Sequence, residues 1–431
     1  MSGEIPPVVT ERVVGRVGAA LTARLAWRNL RRNRRRTWIT ATTVALAVLM
    51  LQLQVSTTIG IERQSMDNLI GYQTGHAKVL AAGYFAEREE LPLDRALTHV
   101  ESLRRRVEAV PGVAATAARV VFAAQLSDGR DQVPCTGIGI DVAGGETDVF
   151  RIQQAITVGV FLKADEPGLL VGGGLAELFG VQPGGWLTVV AKTRHGAYEA
   201  LELPVVGLVG TGNPDIDRMS FFVPIGTARR MLLMDGAATE ISVRFGRGAR
   251  EGATLGRVRG ALAAETGVEV QGWRDLEQEF LVFAQLERVA HGIFVAIFVL
   301  LGVVGVANTV LLAAFERTRE IGMLMALGMR GTGIQRVFIL EGALLGLVGA
   351  GVGSLLALVL MVPYATIGLD LSALYGEVDI GYPVKDRIYG ALSAGALGVV
   401  WLLTAALSAV ASLYPALRAS RQRPAEALRH V

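Results

Sequence analysis

Four long uncharged stretches, residues 37–61, 292–315, 342–369 and 388–417, constrain this chain more than any other feature. Each matches or exceeds the roughly 20 apolar residues that carry a helix across a ~30 Å hydrocarbon core. Buried helices of a globular domain are shorter and keep polar positions on one face. The spacing is lopsided: one stretch, then a polar insert over 62–290, then three stretches close together. The expected fold class is an α-helical membrane protein with four transmembrane helices and a large α+β extracytoplasmic domain inserted between the first and second. The spans are read as 37–61, 291–315, 342–369 and 388–417.

The flanking charges orient the spans. Six of the nine residues 28–36 are arginine, Arg317, Arg319, Arg330 and Arg336 follow the second span, and Arg418, Arg421, Arg423 and Arg429 follow the fourth. The 370–387 loop instead carries Asp370, Glu377, Asp379 and Asp386 against Lys385 and Arg387. By the positive-inside rule both termini, 1–36 and 418–431, and the 316–341 segment are cytoplasmic, in a multi-pass protein of the cytoplasmic (inner) membrane. Nucleic-acid binding by the basic run loses to this reading, because the run abuts an apolar stretch with no linker. Upstream, Val13, Val14, Val17, Leu21, Leu25 and Leu30 recur at helical spacing against Arg12, Arg16, Arg24 and Arg28. That pattern predicts an amphipathic helix lying on the cytoplasmic face of the bilayer.

In the insert, strands are expected at 119–126, 132–140, 169–171, 186–191, 202–209 and 220–223, with helices at 97–110 and 255–266. Turn chemistry separates the strands at Ser127-Asp128-Gly129, Gln182-Pro183-Gly184-Gly185 and Gly212-Asn213-Pro214-Asp215. The alternation suggests an α+β unit with a strand-rich inserted lobe near 115–215. Residues 61–70 extend the first span, and Leu276, Phe280, Phe283 and Leu286 lead into the second at helical spacing, as stalks. A lone Cys135 makes no internal disulfide and reads as a packed residue.

Catalytic motifs are missing. No Gly-Lys-Ser/Thr occurs, and none of the lysines at 78, 163, 192 and 385 follows a glycine, so the sequence holds no P-loop. The histidines at 76, 99, 195, 291 and 430 form no ligand cluster. The chain is expected to bind no cofactor and no metal. Asp215 and Asp217 read as turn residues rather than an acid–base pair. Few ionisable residues enter the spans, which argues against an intramembrane ion relay. Small residues recur there at four-residue spacing: Gly342 with Gly346, Gly349 with Gly353, and Gly390 with Ala394 and Gly398. These predict tight packing between spans three and four. Gln52, Gln54 and Asn308 are the notable polar groups of the first two spans, candidates for a substrate path or for interhelical hydrogen bonds.

Several segments together resemble one family. Glu316-Arg317-Thr318-Arg319-Glu320-Ile321-Gly322, followed by Ala326-Leu327-Gly328, resembles the cytoplasmic segment after the second span in permeases of the MacB/FtsX/LolC-LolE superfamily. So do Leu25-Ala26-Trp27-Arg28-Asn29-Leu30 with Arg34-Arg35-Arg36-Thr37, and Pro415-Ala416-Leu417-Arg418 through Pro424 to Leu428. The run from Leu170 through Gly172-Gly173-Gly174 to Gly180, with Pro183-Gly184-Gly185, is similar to that family's outer domain. Thr74-Gly75-His76-Ala77-Lys78 with Gly83-Tyr84 resembles the lipoprotein-releasing LolC/LolE subtype.

The resemblance implies the permease half of an ABC transporter. It would pair with a separate ABC ATPase subunit that uses ATP and Mg, as a permease homodimer or heterodimer, with a periplasmic adaptor or lipoprotein chaperone and no nucleic acid. The implied ATPase-coupling residues are Glu316, Arg317, Arg319, Glu320, Gly322 and Gly328, on a short helix in 316–335 that turns at Gly328. The cargo expected is amphiphilic, such as a lipoprotein, entering between the first and second spans. Two other readings stay open: a non-transporting mechanical regulator or sensor of an envelope enzyme, and MacB-like efflux of drugs or peptides.

Overall fold

The computed structural model describes residues 19–32, 34–370 and 387–421. The expectations placed on Val13, Val14 and Val17, on Glu377, Asp379, Lys385 and Asp386, and on Arg423, Arg429 and Pro424–Leu428 lie outside the described residues. Two compact units form. A helical unit takes in the chain up to Gly60, Gln285–Gly368 and the chain from Tyr389, while an α/β unit takes in Ile61–Ala284 with Leu369–Ile388.

In the helical unit, α1 (Ala19–Arg32) precedes α2, which runs unbroken over Arg34–Asn68. At 1.5 Å per residue α2 is roughly 50 Å long, well over the thickness of a hydrocarbon core. Among the described residues four helices are long and apolar enough to cross a membrane: α2 with the π-helical turn Leu69–Thr74, the helices Gln278–Glu316 and Gly331–Ile367, and the last apolar helix from Ala394 on. The helix ends differ from the span ends read in the sequence. The third helix starts at Gly331, well before residue 342, and ends at Ile367, where Gly368 has a positive φ of 75°. The fourth starts at Ala394, capped by the Ser393 hydroxyl, because residues 389–393 are extended chain after a short strand at Arg387–Ile388. It breaks after Ala411, and a closing helix spans Leu413–Ser420.

The α/β unit is built on one sheet. Its strands are β1 (Ala77–Ala81), β2 (Val113–Ser127), β3 (Gln132–Ile140), β4 (Ile156–Gly159), β5 (Leu169–Gly172), β6 (Trp186–Lys192), β7 (Tyr198–Val209), β8 (Ser220–Pro224), β9 (Glu240–Phe245) and β10 (Val268–Gly272). They lie in the order β10-β1-β9-β2-β3-β8-β5-β7-β4, with β6 bridging β2 and β7. The strand-rich interval thus shares one continuous sheet with the other strands. The long β2 binds it to the remainder, pairing with β9 from Val113 to Arg119 and with β3 from Arg119 to Ser127. Strands β1, β4, β9 and β10 were missed in the sequence, although Glu240–Phe245 and the start of Val268–Gly272 alternate polar and apolar residues and carried the signal.

The predicted turns form for the expected reasons. The Asp128 carboxylate accepts from the Arg130 and Asp131 amides at 2.8 and 2.7 Å, which holds it below the usual carboxylate range, and Gly129 sits at φ 87°. The Asp217 carboxylate accepts from the Thr211 and Gly212 amides, and Asn213 caps the turn Pro214–Asp217. These carboxylates hold turns. Cys135 is buried in the main core, and burial pushes its thiol up to about 12, as fits a packed residue.

Candidate coupling site

Residues 316–330 fold into a helix set off at both ends. Arg317 leaves helical geometry (φ −108°, ψ 18°), separating the long helix Gln278–Glu316 from the short helix Thr318–Ala326. At the far end Gly328 takes φ 94°, a conformation open mainly to glycine, and its amide donates to the Met325 carbonyl. Gly322 is buried with Ile321 on the inner face of this short helix, whereas Arg319, Met323 and Leu327 point outward.

Three ion pairs tie the segment to the rest of the helical unit. Arg32 Nη2 donates to both Glu320 oxygens at 2.6 and 2.9 Å, and Arg36 Nη1 donates to Glu316 at 2.7 Å. The first pair is exposed, whereas in the second Glu316 is exposed and Arg36 mostly covered. The third is buried: Arg317 Nη1 reaches Glu341 Oε1 at 3.3 Å, with Arg317 Nη2 3.4 Å from the Asn29 carbonyl. Arg317 Nε and Glu341 Oε2 have no hydrogen-bond partner among the described residues, although the Asn29 side chain lies beside Glu341. An open groove of about 400 Å³ runs between α1, the short helix and the start of Gly331–Ile367, walled by Arg28, Arg32, Glu320, Leu324, Leu327 and Phe338. Sequence reasoning missed Glu341 and the role of Arg32 and Arg36. The signal for Glu341 was a carboxylate on the doorstep of an apolar span, which is costly unless paired.

Of the residues expected to form the apolar face of α1, Leu30 is buried, with Thr22 and Ala26 beside it, within the same core as Ile334, Phe338 and Ala416. That face lies on protein rather than bilayer, because the neighbouring helices offer it a closer-packed apolar surface.

The glycine stripe divides between two partners. A Cβ on Gly342 would lie 1.7 Å from Ser412 Oγ, and one on Gly346 2.5 Å from Ser408 Oγ, so these pack on the fourth helix as expected. Gly349 and Gly353 instead face α2, where a Cβ would meet Val44 at 2.7 Å and the Ala45 carbonyl at 2.5 Å. The four glycines lie within about 60° on one face of the helix, so the partner changes because two neighbours cross that face at different heights. The third span therefore packs on the first as well as the fourth. Gly390 is close-packed against Tyr364 and Ser56 but lies outside any helix, and a Cβ on Gly398 would meet nothing within 4 Å. The Gly390–Ala394–Gly398 row is not a packing face.

The polar residues of the spans scatter. Gln52 is buried and donates to Ser354 Oγ at 2.8 Å, toward the third helix rather than the second. Its Oε1 has no partner among the described residues. Gln54 is half-buried and Asn308 exposed. The first and second helices meet instead through Thr40 and Thr309, whose hydroxyls are 2.8 Å apart. Among the described residues no group of His, Cys, Asp and Glu could hold a metal ion.

The helical unit thus sets a short helix, pinned by three ion pairs, between its second and third long apolar helices. Residues 292–424 match the FtsX-like permease C-terminal family model. The chain carries an FtsX-like permease domain, as the sequence resemblance indicated. It is 25% identical over 403 residues to the lipoprotein-releasing system transmembrane protein LolC of Neisseria meningitidis serogroup B, covering 91% of this chain and 94% of that protein. LolC of Xylella fastidiosa is 26% identical over 405 residues, covering 90% and 92%. The macrolide export ATP-binding/permease protein MacB of Rhodopirellula baltica is 35% identical over 142 residues, 33% of this chain and 18% of that one. Among solved structures, the periplasmic region of MacB from Actinobacillus actinomycetemcomitans aligns at 14% identity and a TM-score of 0.35, over 50% of this chain and 97% of that one. These relatives are consistent with an ABC-transporter permease of the superfamily that the sequence motifs resemble.

Proposed function

We propose that this chain is the permease subunit of an ABC transporter that extracts or exports an amphiphilic substrate, such as a lipoprotein, at the outer face of the cytoplasmic membrane. The observation that carries the reading is the end-to-end similarity to a lipoprotein-releasing transmembrane protein, over 91% of the chain. In this reading both termini and 316–341 are cytoplasmic and the α/β unit is outside. A separate ATPase subunit, using ATP and Mg, bears on Thr318–Ala326, whose outward Arg319, Met323 and Leu327 offer it a mixed surface. The ion pairs to Arg32, Arg36 and Glu341 pass that load to the first and third helices. The permease works as a homodimer or heterodimer, with a periplasmic adaptor or lipoprotein chaperone receiving cargo. Gln52, turned toward Ser354, is a packing residue in this scheme, which leaves Gln54 and Asn308 as path candidates.

The test is copurification of the intact complex with its cargo, identified by mass spectrometry. An ATPase subunit and a lipidated protein are expected. A cell-wall hydrolase without lipidated cargo would replace transport with mechanical regulation. Cysteines near Gly129 should react with an impermeant thiol reagent in intact cells and ones near Gly331 should not. The reverse result would overturn the orientation.

A further inference from the structure

The arginine-rich start of the chain divides into two sets once its partners are counted. Arg32 and Arg36 are spent inside the protein on Glu320 and Glu316. Arg24, Arg28, Arg31, Arg34 and Arg35 are exposed, and none has a carboxylate partner among the described residues. On α1, Arg24, Trp27, Arg28 and Arg31 follow the i, i+3, i+4, i+7 spacing of one helix face. At 100° per residue that face is centred opposite Thr22, Ala26 and Leu30, which are buried on protein. Two tryptophans flank the charges, Trp27 on α1 and Trp38 in the first turns of α2, 51% and 59% exposed.

We infer that this outward facet binds the headgroups of anionic phospholipids in the leaflet beside it. The occupant follows from three features. The facet adjoins the start of a membrane-crossing helix, so headgroups are its nearest neighbours. Arg24, Arg28 and Arg31 on it, and Arg34 and Arg35 just beyond it on α2, have no carboxylate partner among the described residues, and anionic lipid attracts each such residue. Exposed Trp, apolar in body and polar at one edge, is the side chain favoured at headgroup depth. Because the apolar face of α1 is already used, binding is through charge and Trp rather than by burying an apolar helix face in the bilayer. It is therefore salt-sensitive. The inference needs the facet to lie at a membrane surface but not the transport reading.

The full chain is reconstituted in vesicles, and its first-shell selectivity for spin-labelled phosphatidylglycerol over phosphatidylcholine is read by electron paramagnetic resonance. Selectivity of about threefold or more is expected, on the order of what a few surface arginines give, and it should fall as salt is raised. R24Q/R28Q/R31Q should bring it close to parity. That variant keeps Arg32, Arg34, Arg35 and Arg36 for orientation, and W27A should weaken selectivity separately. Equal binding of the two lipids by the wild-type chain, salt-independent selectivity, or wild-type selectivity in the triple variant would each overturn the inference. Selectivity in the chain alone that vanishes when the ATPase is bound would give the facet to that protein instead.

Discussion

Each unit of the molecule hides one arginine–glutamate pair, and the two pairs are built differently. In the α/β unit Arg119 and Glu146 meet at 2% and 1% side-chain exposure. Arg119 Nε and Nη2 serve both carboxylate oxygens at 3.2 and 2.5 Å, Nη1 reaches the Tyr72 carbonyl, and the guanidinium stacks on Phe150. In the helical unit Arg317 and Glu341 share one 3.3 Å contact, and each leaves a buried polar atom unmatched. A satisfied buried pair fixes one geometry. A half-satisfied pair loses less on rearranging, because part of its desolvation cost is never recovered. The first pair suits a rigid body, and the second a place where the packing can shift.

Breaking the satisfied pair should have the largest effect. Glu146→Leu strands the Arg119 charge and should destabilise the α/β unit by about 3–5 kcal/mol in denaturant titrations of the full chain. Arg119→Met with Glu146→Leu should recover most of that. No recovery in the double variant would mean that the pair also sets the fold around it. Glu341→Gln should cost less, about 1–3 kcal/mol, since half of its bonding is already absent. A loss equal to that of Glu146→Leu would erase the contrast.

Packing gives a comparison within the helical unit. Gly342→Ala drives a methyl group into Ser412, which itself bonds the Ser408 carbonyl at 2.8 Å, and should cost about 1–3 kcal/mol. Gly398→Ala, in open space, should stay within ~0.5 kcal/mol.

The α/β unit should also carry a pH signature. Burial lowers the His76 pKa, and its Nδ1 accepts from the Phe245 amide at 3.3 Å, so the ring is held neutral. Below the unfolded value of about 6.5 the unfolded chain binds a proton that the folded one refuses. Stability is therefore full above that pH and falls as pH drops toward the lower folded value. His76→Gln should flatten this slope in pH-dependent unfolding.

The smallest stability effect should come from the exposed pair. Glu320→Lys faces Arg32 with a like charge, yet solvent screens both, so the cost should stay within ~1 kcal/mol. Transport should nevertheless fail in a complementation assay while membrane insertion survives. Normal transport by this variant and by Arg317→Glu would remove the segment from the mechanism.

The sequence by itself determined the four apolar helices, the turn chemistry at Asp128 and Asn213, the missing P-loop and the family motifs around Glu316–Gly328. Such features depend on composition and local spacing, which the linear chain carries in full. Tertiary structure decided who meets whom. Arg32 and Glu320 are 288 positions apart, as are Arg317 and Asn29. No periodicity announces that Gly349 abuts Val44 while Gly342, seven residues earlier, abuts Ser412. The apolar face of α1 could have met lipid or protein at similar gain. Only the packed helices around it settled that choice, because burial is a property of neighbours in space.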